Sequence, residues 1–336
     1  MTVAAPRPAR LVDAPVGPTL VRLTVPMIFG LFALVLFGLA DIWFVGLLGT
    51  RELAALGFTF PVTLFVTYLG VGLGIGTSAL VARSIGAGDH ARAARIAADS
   101  VGLACVLVVA LAIAGSLLLR PLFDAMGAPA ELQPLIAGYM HVYFAGAPLV
   151  VAPMVIGAAL RANGDTRTPS KVMLGAAGLL AVLDPLFIFG PGPLPGLGLQ
   201  GAALATVSSW TLASAVLLYA LARREHLLDW RWEGRAALLA GWGRHLALSG
   251  PAAAANMMTP LANGIITAMV ARHGHEAVAA WGVATRIEAF AIIAVLAMSL
   301  SLPPFLSQNF GAGRQDRVRE AVALALRFAV GWGAVV

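Results

Sequence analysis

The sequence predicts an all-α polytopic membrane protein, and two observations lead to that fold class. Of the 336 residues, 60% are hydrophobic and only 11% are charged, and the mean hydropathy is +0.88. A soluble domain uses charged residues for about a quarter of its chain. Apolar stretches also recur along the whole length, and each is long enough to cross a hydrocarbon layer of about 30 Å as a helix.

The apolar stretches predict nine membrane spans in two lobes. The spans cover residues 20–46, 53–80, 97–119, 134–160, 171–190, 199–222, 246–271, 277–305 and 318 to the end. They divide the chain into a disordered tail (1–18), an N-lobe of six spans (19–222), an interlobe linker (223–245) and an incomplete C-lobe (246–336). Within the linker, "DWRWEGR" is an amphipathic stretch that we expect at the inner membrane interface.

An internal repeat supports the division into lobes. When the sequence is shifted by 225 residues without a gap, Pro26 falls on Pro251, the Gly-Ala-Gly triplet at 86–88 falls on the triplet at 311–313, and Arg92 falls on Arg317. Six spans precede the second copy, so both copies start from the same side of the membrane and are parallel repeats. Because a complete second lobe would extend well beyond the last residue, we expect a C-terminally truncated chain with about three of its six spans.

The basic residues predict the orientation. Of the 22 Lys and Arg residues, 17 fall in the tail and in the second, fourth, sixth and eighth connections. By the positive-inside rule this side is cytoplasmic, which predicts a multi-pass protein of the plasma membrane with a cytoplasmic N-terminus. The basic residues are dispersed between apolar runs instead of forming a patch, which argues against nucleic acid as a partner.

Two acids and a threonine lie inside predicted spans at a similar depth. With a helical rise of about 1.5 Å per residue, Asp41, Asp184 and Thr206 lie roughly 7 to 11 Å below the outer surface. An ionised carboxylate within a span is costly and usually faces a cavity and a partner. Two carboxylates that share a site of low dielectric disfavour double ionisation, so such a pair can take up a proton. Alternatively, Asp41 reaches out to water and Asp184 caps a break before Pro185.

Several segments together resemble a known family. They read "GLADIWFVGLLGTRELAALGF", "GIGTSALVARSIGAGDHARAARIA", "LRANGDTRTP", "VLDPLFIFG" and "GLGLQGAALATVSS", with later echoes "AVAAWGVATRIEAF" and "SQNFGAGRQDRVREA". This combination resembles the multidrug and toxic compound extrusion (MATE) transporters, most closely their DinF-like branch. The resemblance implies twelve helices in two lobes around a central cavity, with drug export driven by inward H⁺ or Na⁺.

The resemblance also implies an ion-coupling site in the N-lobe. The family's acids of the first and fifth helices and its threonine of the sixth match Asp41, Asp184 and Thr206. Leu180 stands where the branch usually has an asparagine, which favours H⁺ over Na⁺ because Na⁺ needs several oxygen ligands. Asn256 stands where other branches carry an acid in the seventh helix.

Other side chains are candidates by type and position. Glu288 and Asn256 could form a second polar site, although a structural link to a neighbouring helix is the favoured interpretation of Glu288. Adaptable apolar and aromatic groups suit a polyspecific substrate cavity, and bends in the first span need a proline or glycines. The cavity candidates are Tyr139, Tyr143, Met173 and Met257, and the hinge candidates are Pro26, Gly30 and Gly38.

Metal and cofactor chemistry is not predicted. The lone cysteine, Cys105, can form neither a disulfide nor a cysteine metal site within the chain. His273, His275 and Glu276 occupy a short connection without further ligands at usable spacing, so we interpret them as a solvated loop. We expect no metal site, no cofactor beyond the coupling ion, and a monomer surrounded by membrane lipid.

The predicted function is secondary active export. In this interpretation the chain is an antiporter that couples inward H⁺ or Na⁺ to efflux of small amphipathic, cationic compounds by alternating access. A flippase for lipid-linked precursors is the first alternative, although intramembrane arginines are few. An intramembrane enzyme is a second alternative, and the sequence has no recognisable motif for it.

Overall fold

A computed structural model of the chain describes residues 11–190, 195–230, 234–273 and 275–335. Within these ranges the chain forms helices and turns and no strand, which confirms the all-α class. The helices are α1 (Val16–Gly46), α2 (Thr50–Gly86), α3 (His90–Leu117), α4 (Leu119–Ala125), α5 (Gln133–Ala162), α6 (Arg167–Phe189), α7 (Leu199–Tyr219), α8 (Arg235–Val270), α9 (His275–Ala291), α10 (Ile293–Gly311) and α11 (Gln315–Val335). A π-helical turn (Ala220–Arg224) follows α7, and a 3-10 turn (Ala271–His273) follows α8.

Seven of the described helices are long and apolar enough to cross a membrane. They are the six long helices of the N-lobe and α10. Of the remaining predicted spans, α8 interrupts its apolar sequence with Asn256, Pro260 and Asn263, and α11 carries charged residues in each of its first turns. The N-lobe spans are therefore more apolar, and easier to identify from the sequence, than those of the C-lobe.

The helix boundaries follow the internal repeat. Shifted by 225 residues, the first and last residues of α2 coincide with the start of α9 and the end of α10. The same shift moves the start of α3 onto the start of α11. Gly88 and Gly313, which correspond by this shift, both have positive φ, at 80° and 74°. The inner turn thus has the same backbone geometry in both copies, and it is one that glycine adopts without strain.

Two predicted boundaries are wrong. The eighth span, predicted as continuous over 277–305, is divided between α9 and α10 at Ile292, where φ is −86° and ψ is −3°. The hydrogen-bond ladder continues through this point, because the amides of Ile292 and Leu296 still bond the carbonyls four residues earlier, at 2.9 Å each. The linker is shorter than predicted, because α8 already begins at Arg235, directly after the positive-φ Gly234.

The prediction of a disordered tail over residues 1–18 is wrong for residues 11–18, which are packed against the rest of the chain. Residues 1–10 lie outside the described residues. Leu11 is buried, and α1 already begins at Val16. The backbone of this segment is held by the second lobe. Asn309 Nδ2 donates to the Leu11 carbonyl at 3.1 Å, and the Arg317 guanidinium donates to the carbonyls of Leu11 and Ala14. Residues 231–233 of the "DWRWEGR" stretch likewise lie outside the described residues.

Packing centres on α5 in the N-lobe and on α2 between the lobes. The helices α2, α3 and α7 surround α5, and their core includes the fully buried side chains of Phe123, Ile136 and Met140. The face of α2 toward the second lobe carries glycines, and a Cβ on Gly72 would collide with Ala253 of α8. Glycine at such positions lets helix backbones approach closely.

We refer to the end of the bundle that carries the connections 87–89, 163–166, 225–230 and 312–314 as the basic end. The opposite end carries the connections 47–49, 126–132 and 195–198. The contacts between the first helices and α10 and α11 include those of the N-terminal segment, at the basic end. The acids of the predicted ion site lie toward the opposite end.

Candidate ion-coupling site

The site is built on the parallel pair α1 and α6, which pack along one seam. Ser170 Oγ lies 3.4 Å from Met27 Sδ, across a sequence separation of 143 residues. Gly30 and Met173 have the same separation, and a Cβ on Gly30 would lie 3.6 Å from Met173 Sδ. Eleven residues are about three helical turns, so the next side chains on this seam come eleven residues after Gly30 and Met173. Those two residues are Asp41 and Asp184.

The two carboxyl groups lie on facing sides of this seam, within electrostatic reach of each other. Asp184 is fully buried, and neither of its oxygens has a hydrogen-bond partner among the described residues. Oδ1 of Asp41 is also buried without a partner in the same part of the chain. Unpaired carboxylate oxygens in apolar surroundings are costly. The arrangement can therefore hold a proton or a cation between the two groups.

The depth of the pair agrees with the helix ends. Asp41 precedes the end of α1 by five residues, and Asp184 precedes the end of α6 by five residues. At about 1.5 Å per residue, both lie roughly 8 Å inside the end opposite the basic end. Their common level follows from the parallel packing of the two helices.

Thr206 lies half-buried on α7, which packs against α5 and α6. Its hydroxyl forms no hydrogen bond to Asp184, because both oxygens of that acid are unpaired among the described residues. Ser209, less than one turn further along α7, donates to the Ala176 carbonyl of α6 at 2.6 Å. This bond fixes α7 against α6 close to Thr206, while the role of Thr206 itself stays a prediction.

Tyr139 and Tyr143 of α5 form a buried aromatic pair beside the acids. Their rings stack with centroids 6.3 Å apart and an interplanar angle of 12°. They are 6% and 3% exposed, and both belong to the N-lobe core. Tyr139 lies within electrostatic reach of Asp41 and Asp184. In this conformation the two phenols form part of a buried layer and do not line an open cavity.

The family model MatE matches residues 26–186 and 251–336. The matched segments begin at Pro26 and Pro251, which correspond by the 225-residue repeat.

This chain belongs to the MATE family.

Individual MATE proteins give the same result. The chain is 41% identical over 318 residues to a protein of Shewanella oneidensis named FAD transporter, with 95% of this chain and 70% of the relative covered. It is 25% identical over 322 residues to the multidrug export protein MepA of Staphylococcus aureus, with 93% and 69% covered. The crystal structure of the Vibrio cholerae MATE transporter VcmN in the bent form matches with a TM-score of 0.86 and 34% identity, covering 94% of this chain and 70% of that one.

These relatives are transporters, so the MATE chain described here is a multi-pass membrane transporter and not an enzyme. The comparisons do not distinguish the DinF-like branch, which stays a prediction. They also leave the predicted side-chain roles as predictions.

The hinge candidates of this MATE chain lie within one unbroken α1. Gly30 is packed, because a Cβ there would lie 3.4 Å from Ser170 Cα. Gly38 has no neighbour within 4 Å of the position of a Cβ. Pro26 lies inside the helix one turn before Gly30. Packing therefore restrains α1 at Gly30 and leaves it unrestrained at Gly38, just before Asp41.

The predicted second polar site and the remaining cavity candidates show local contacts only. The Asn256 amide donates to the carbonyl of Ala252 in its own helix at 2.8 Å. Glu288 is exposed on α9, and no hydrogen bond or ion pair joins it to Asn256 in the described part of the chain. Met173 is half-buried in the seam between α1 and α6, and Met257 is half-buried on α8.

Sequence reasoning did not identify Tyr139 as a neighbour of the acids. A signal was present, since Tyr139 and Tyr143 are four residues apart and share one face of α5. The spacing does not predict the rotation of α5, which brings Tyr139 within electrostatic reach of Asp41 and Asp184.

Proposed function

We propose that the protein is a secondary active exporter of the plasma membrane that couples inward H⁺ movement to efflux of amphipathic cations. The observation that carries the proposal is the pair of acids Asp41 and Asp184, which lie at the same level on the packed seam of α1 and α6 with buried oxygens that have no hydrogen-bond partner among the described residues. The basic end faces the cytoplasm by the positive-inside rule. The acid pair then lies near the outer side, where protons enter.

The chemistry of the ligands favours H⁺ over Na⁺. A hard metal cation is held by several oxygen ligands, commonly including neutral carbonyl or hydroxyl oxygens. At this site Leu180, about one turn before Asp184, is apolar, and the Thr206 hydroxyl donates to neither oxygen of Asp184. A carboxyl pair in which neither Asp184 oxygen has a hydrogen-bond partner among the described residues matches the binding of one proton between the two acids.

In this proposal, proton uptake moves the last turns of α1, from Gly38 onward. With one proton bound, the two acids attract through a hydrogen bond, and without it their like charges repel. Beyond the contact at Gly30, α1 passes through Gly38, which has no close neighbour, before it reaches Asp41. A change of charge at Asp41 therefore shifts the last turns of α1 against α6, and this shift opens or closes the path to the outside.

Transport by the full-length protein in liposomes tests this function. We expect efflux of a cationic dye to follow an imposed pH gradient and not an imposed Na⁺ gradient, and Asp184→Asn to abolish it. Asp316→Asn is the matched control, because Asp316 is exposed and pairs only with Arg314 at 3.7 Å in the described chain. Undiminished proton-driven efflux by Asp184→Asn would overturn the coupling site, and efflux driven by Na⁺ alone would overturn the choice of ion.

A second candidate substrate is FAD. The observation in its favour is the 41% identity to the Shewanella oneidensis protein named FAD transporter. FAD is a phosphate-bearing anion, so it differs in charge from the substrates first proposed. Liposomes loaded with FAD and with a cationic dye, measured under the same gradient, distinguish the two. Movement of labelled lipid without either solute would instead favour the flippase alternative.

A further inference from the structure

A cavity of about 630 Å³ lies at the basic end between α3, the linker and the first turns of α8. Its volume is within the range of sites that hold small organic ligands, roughly 300 to 1,000 Å³. The cavity does not belong to the ion-coupling site, which lies at the other end of the bundle. Its wall combines cationic, acidic, aromatic and apolar side chains, and those that the inference uses are Arg92, Arg244, Trp230, Trp242, Ile96 and Leu238.

Two exposed arginines supply cationic groups to the cavity. Arg92 from α3 and Arg244 from α8 both line it. The Asp89 carboxylate, which also lines the cavity, is engaged as the cap of α3, because it accepts a hydrogen bond from the backbone amide of Arg92 at 2.9 Å. A guanidinium group offers five N–H donors in a planar fork that matches the oxygens of a phosphate group.

The aromatic and apolar walls indicate where the cavity lies relative to the membrane. Trp242 donates through Nε1 to the Asp99 carbonyl of α3 at 3.2 Å, and this bond ties α8 to α3. Trp230 borders the cavity from the linker, and Ile96 and Leu238 give it an apolar wall. Tryptophan is enriched at the level of the lipid headgroups, and basic pockets between helices on the cytoplasmic side bind anionic headgroups.

We infer that this cavity binds the phosphate headgroup of an anionic phospholipid, held by Arg92 and Arg244, with the start of an acyl chain against Ile96 and Leu238. A lipid accounts for both kinds of wall, whereas a free phosphate would use only the arginines. The ligand class is therefore a phosphate-bearing amphiphile of the leaflet at the basic end.

A bound lipid would also link the two lobes. The cavity is formed by α3 of the N-lobe and by the start of α8. At its inner wall, His245 Nε2 lies 3.0 Å from the Leu73 carbonyl and 3.4 Å from Thr77 Oγ1, both on α2. A lipid headgroup bound by Arg92 of α3 and Arg244 of α8 would therefore stabilise the packing of α8 against α2 and α3.

The test measures the thermal unfolding midpoint of the full-length protein in detergent during titration with phosphatidylglycerol or phosphatidylcholine. We expect phosphatidylglycerol to raise the midpoint by about 3 °C through preferential binding to the folded state, and phosphatidylcholine to leave it unchanged. The Arg92→Gln/Arg244→Gln variant should lose this increase. The control variant Arg314→Gln/Arg319→Gln should keep it, because those arginines are exposed at the same end and lie outside the cavity.

Three results would overturn the inference. They are an equal response to both lipids, a full response by the cavity variant, and loss of the response in the control variant. Glycerol 3-phosphate alone is added in a separate series, and if it gives the full increase, the site takes soluble phosphate esters and the lipid assignment fails. Should the double variant not fold, Arg244→Gln alone, at an exposed side chain, should reduce the increase by about half.

Discussion

Gly86 of α2 and Gly311 of α10 lie at one helix crossing, and each packs against the backbone of the other helix. A Cβ on Gly86 would collide with the Gln308 carbonyl, and a Cβ on Gly311 would collide with the Arg83 carbonyl. Under the 225-residue shift Arg83 corresponds to Gln308 and Gly86 to Gly311. The crossing thus obeys an internal two-fold relation and joins the lobes at the basic end.

This symmetry predicts that the two glycines are equivalent in stability. Either Gly86→Ala or Gly311→Ala should destabilise the protein by about 1–3 kcal/mol, because overpacked atoms would strike a backbone that cannot yield. The measurement is thermal unfolding of each single variant. Gly175→Ala is the matched control, since Gly175 is a helical glycine with no neighbour within 4 Å of a Cβ. Two neutral variants at the crossing would contradict the packing described.

Arg317 is predicted to hold the N-terminal segment against the second lobe. It is buried, and its Nε donates to Asn309 Oδ1 at 2.8 Å while its Nη2 donates to the carbonyls of Leu11 and Ala14. Arg317→Gln should cost about 2 kcal/mol, because it removes charged hydrogen bonds to buried acceptors. Hydrogen exchange of residues 11–15 should accelerate. Arg319→Gln, at an exposed side chain two residues further, should change neither quantity.

The acid pair predicts a pH-dependent difference in stability between variant and parent. At alkaline pH, where both carboxyl groups are ionised, the parent contains two like charges at close range. Asp184→Asn removes one of them with little change in shape, so its unfolding midpoint relative to the parent should rise as the pH increases. Unfolding measured between about pH 5 and 9 checks this, with Asp316→Asn as the exposed control. A difference independent of pH would mean that the two groups do not repel each other.

The sequence allowed the level of Asp41 and Asp184 to be predicted, because depth depends only on distance from a helix end. Their contact depends on the rotation of α1 and α6, which the constant separation of 143 residues along the seam reveals only in the structure. The same limit applies to the cavity at Arg92 and Arg244, since those residues are 152 positions apart. Helix rotation and long-range packing are set by many small contacts, which no local pattern encodes.

The structure of the N-terminal segment also could not be predicted from its composition, because residues far away in the sequence hold it in place. The tail was predicted to be disordered from its proline and alanine content. In the structure, Asn309 and Arg317 satisfy the carbonyl of Leu11, and the Leu11 side chain is buried. Buried backbone groups must be paired, and here the partners lie almost the whole length of the chain away.

Gly38 offers the sharpest test of how α1 moves. Because nothing lies within 4 Å of a Cβ at this position, Gly38→Ala fits without strain and should stabilise the helix by up to about 1 kcal/mol. If α1 bends at Gly38 during transport, the same change should slow proton-driven efflux while leaving the fold intact. Gly72→Ala provides the contrast, since its Cβ would collide with Ala253 of α8 and should lower the unfolding midpoint. A Gly38→Ala variant that is more stable and transports at the parental rate would place the bend elsewhere in α1, at Pro26 or within the seam.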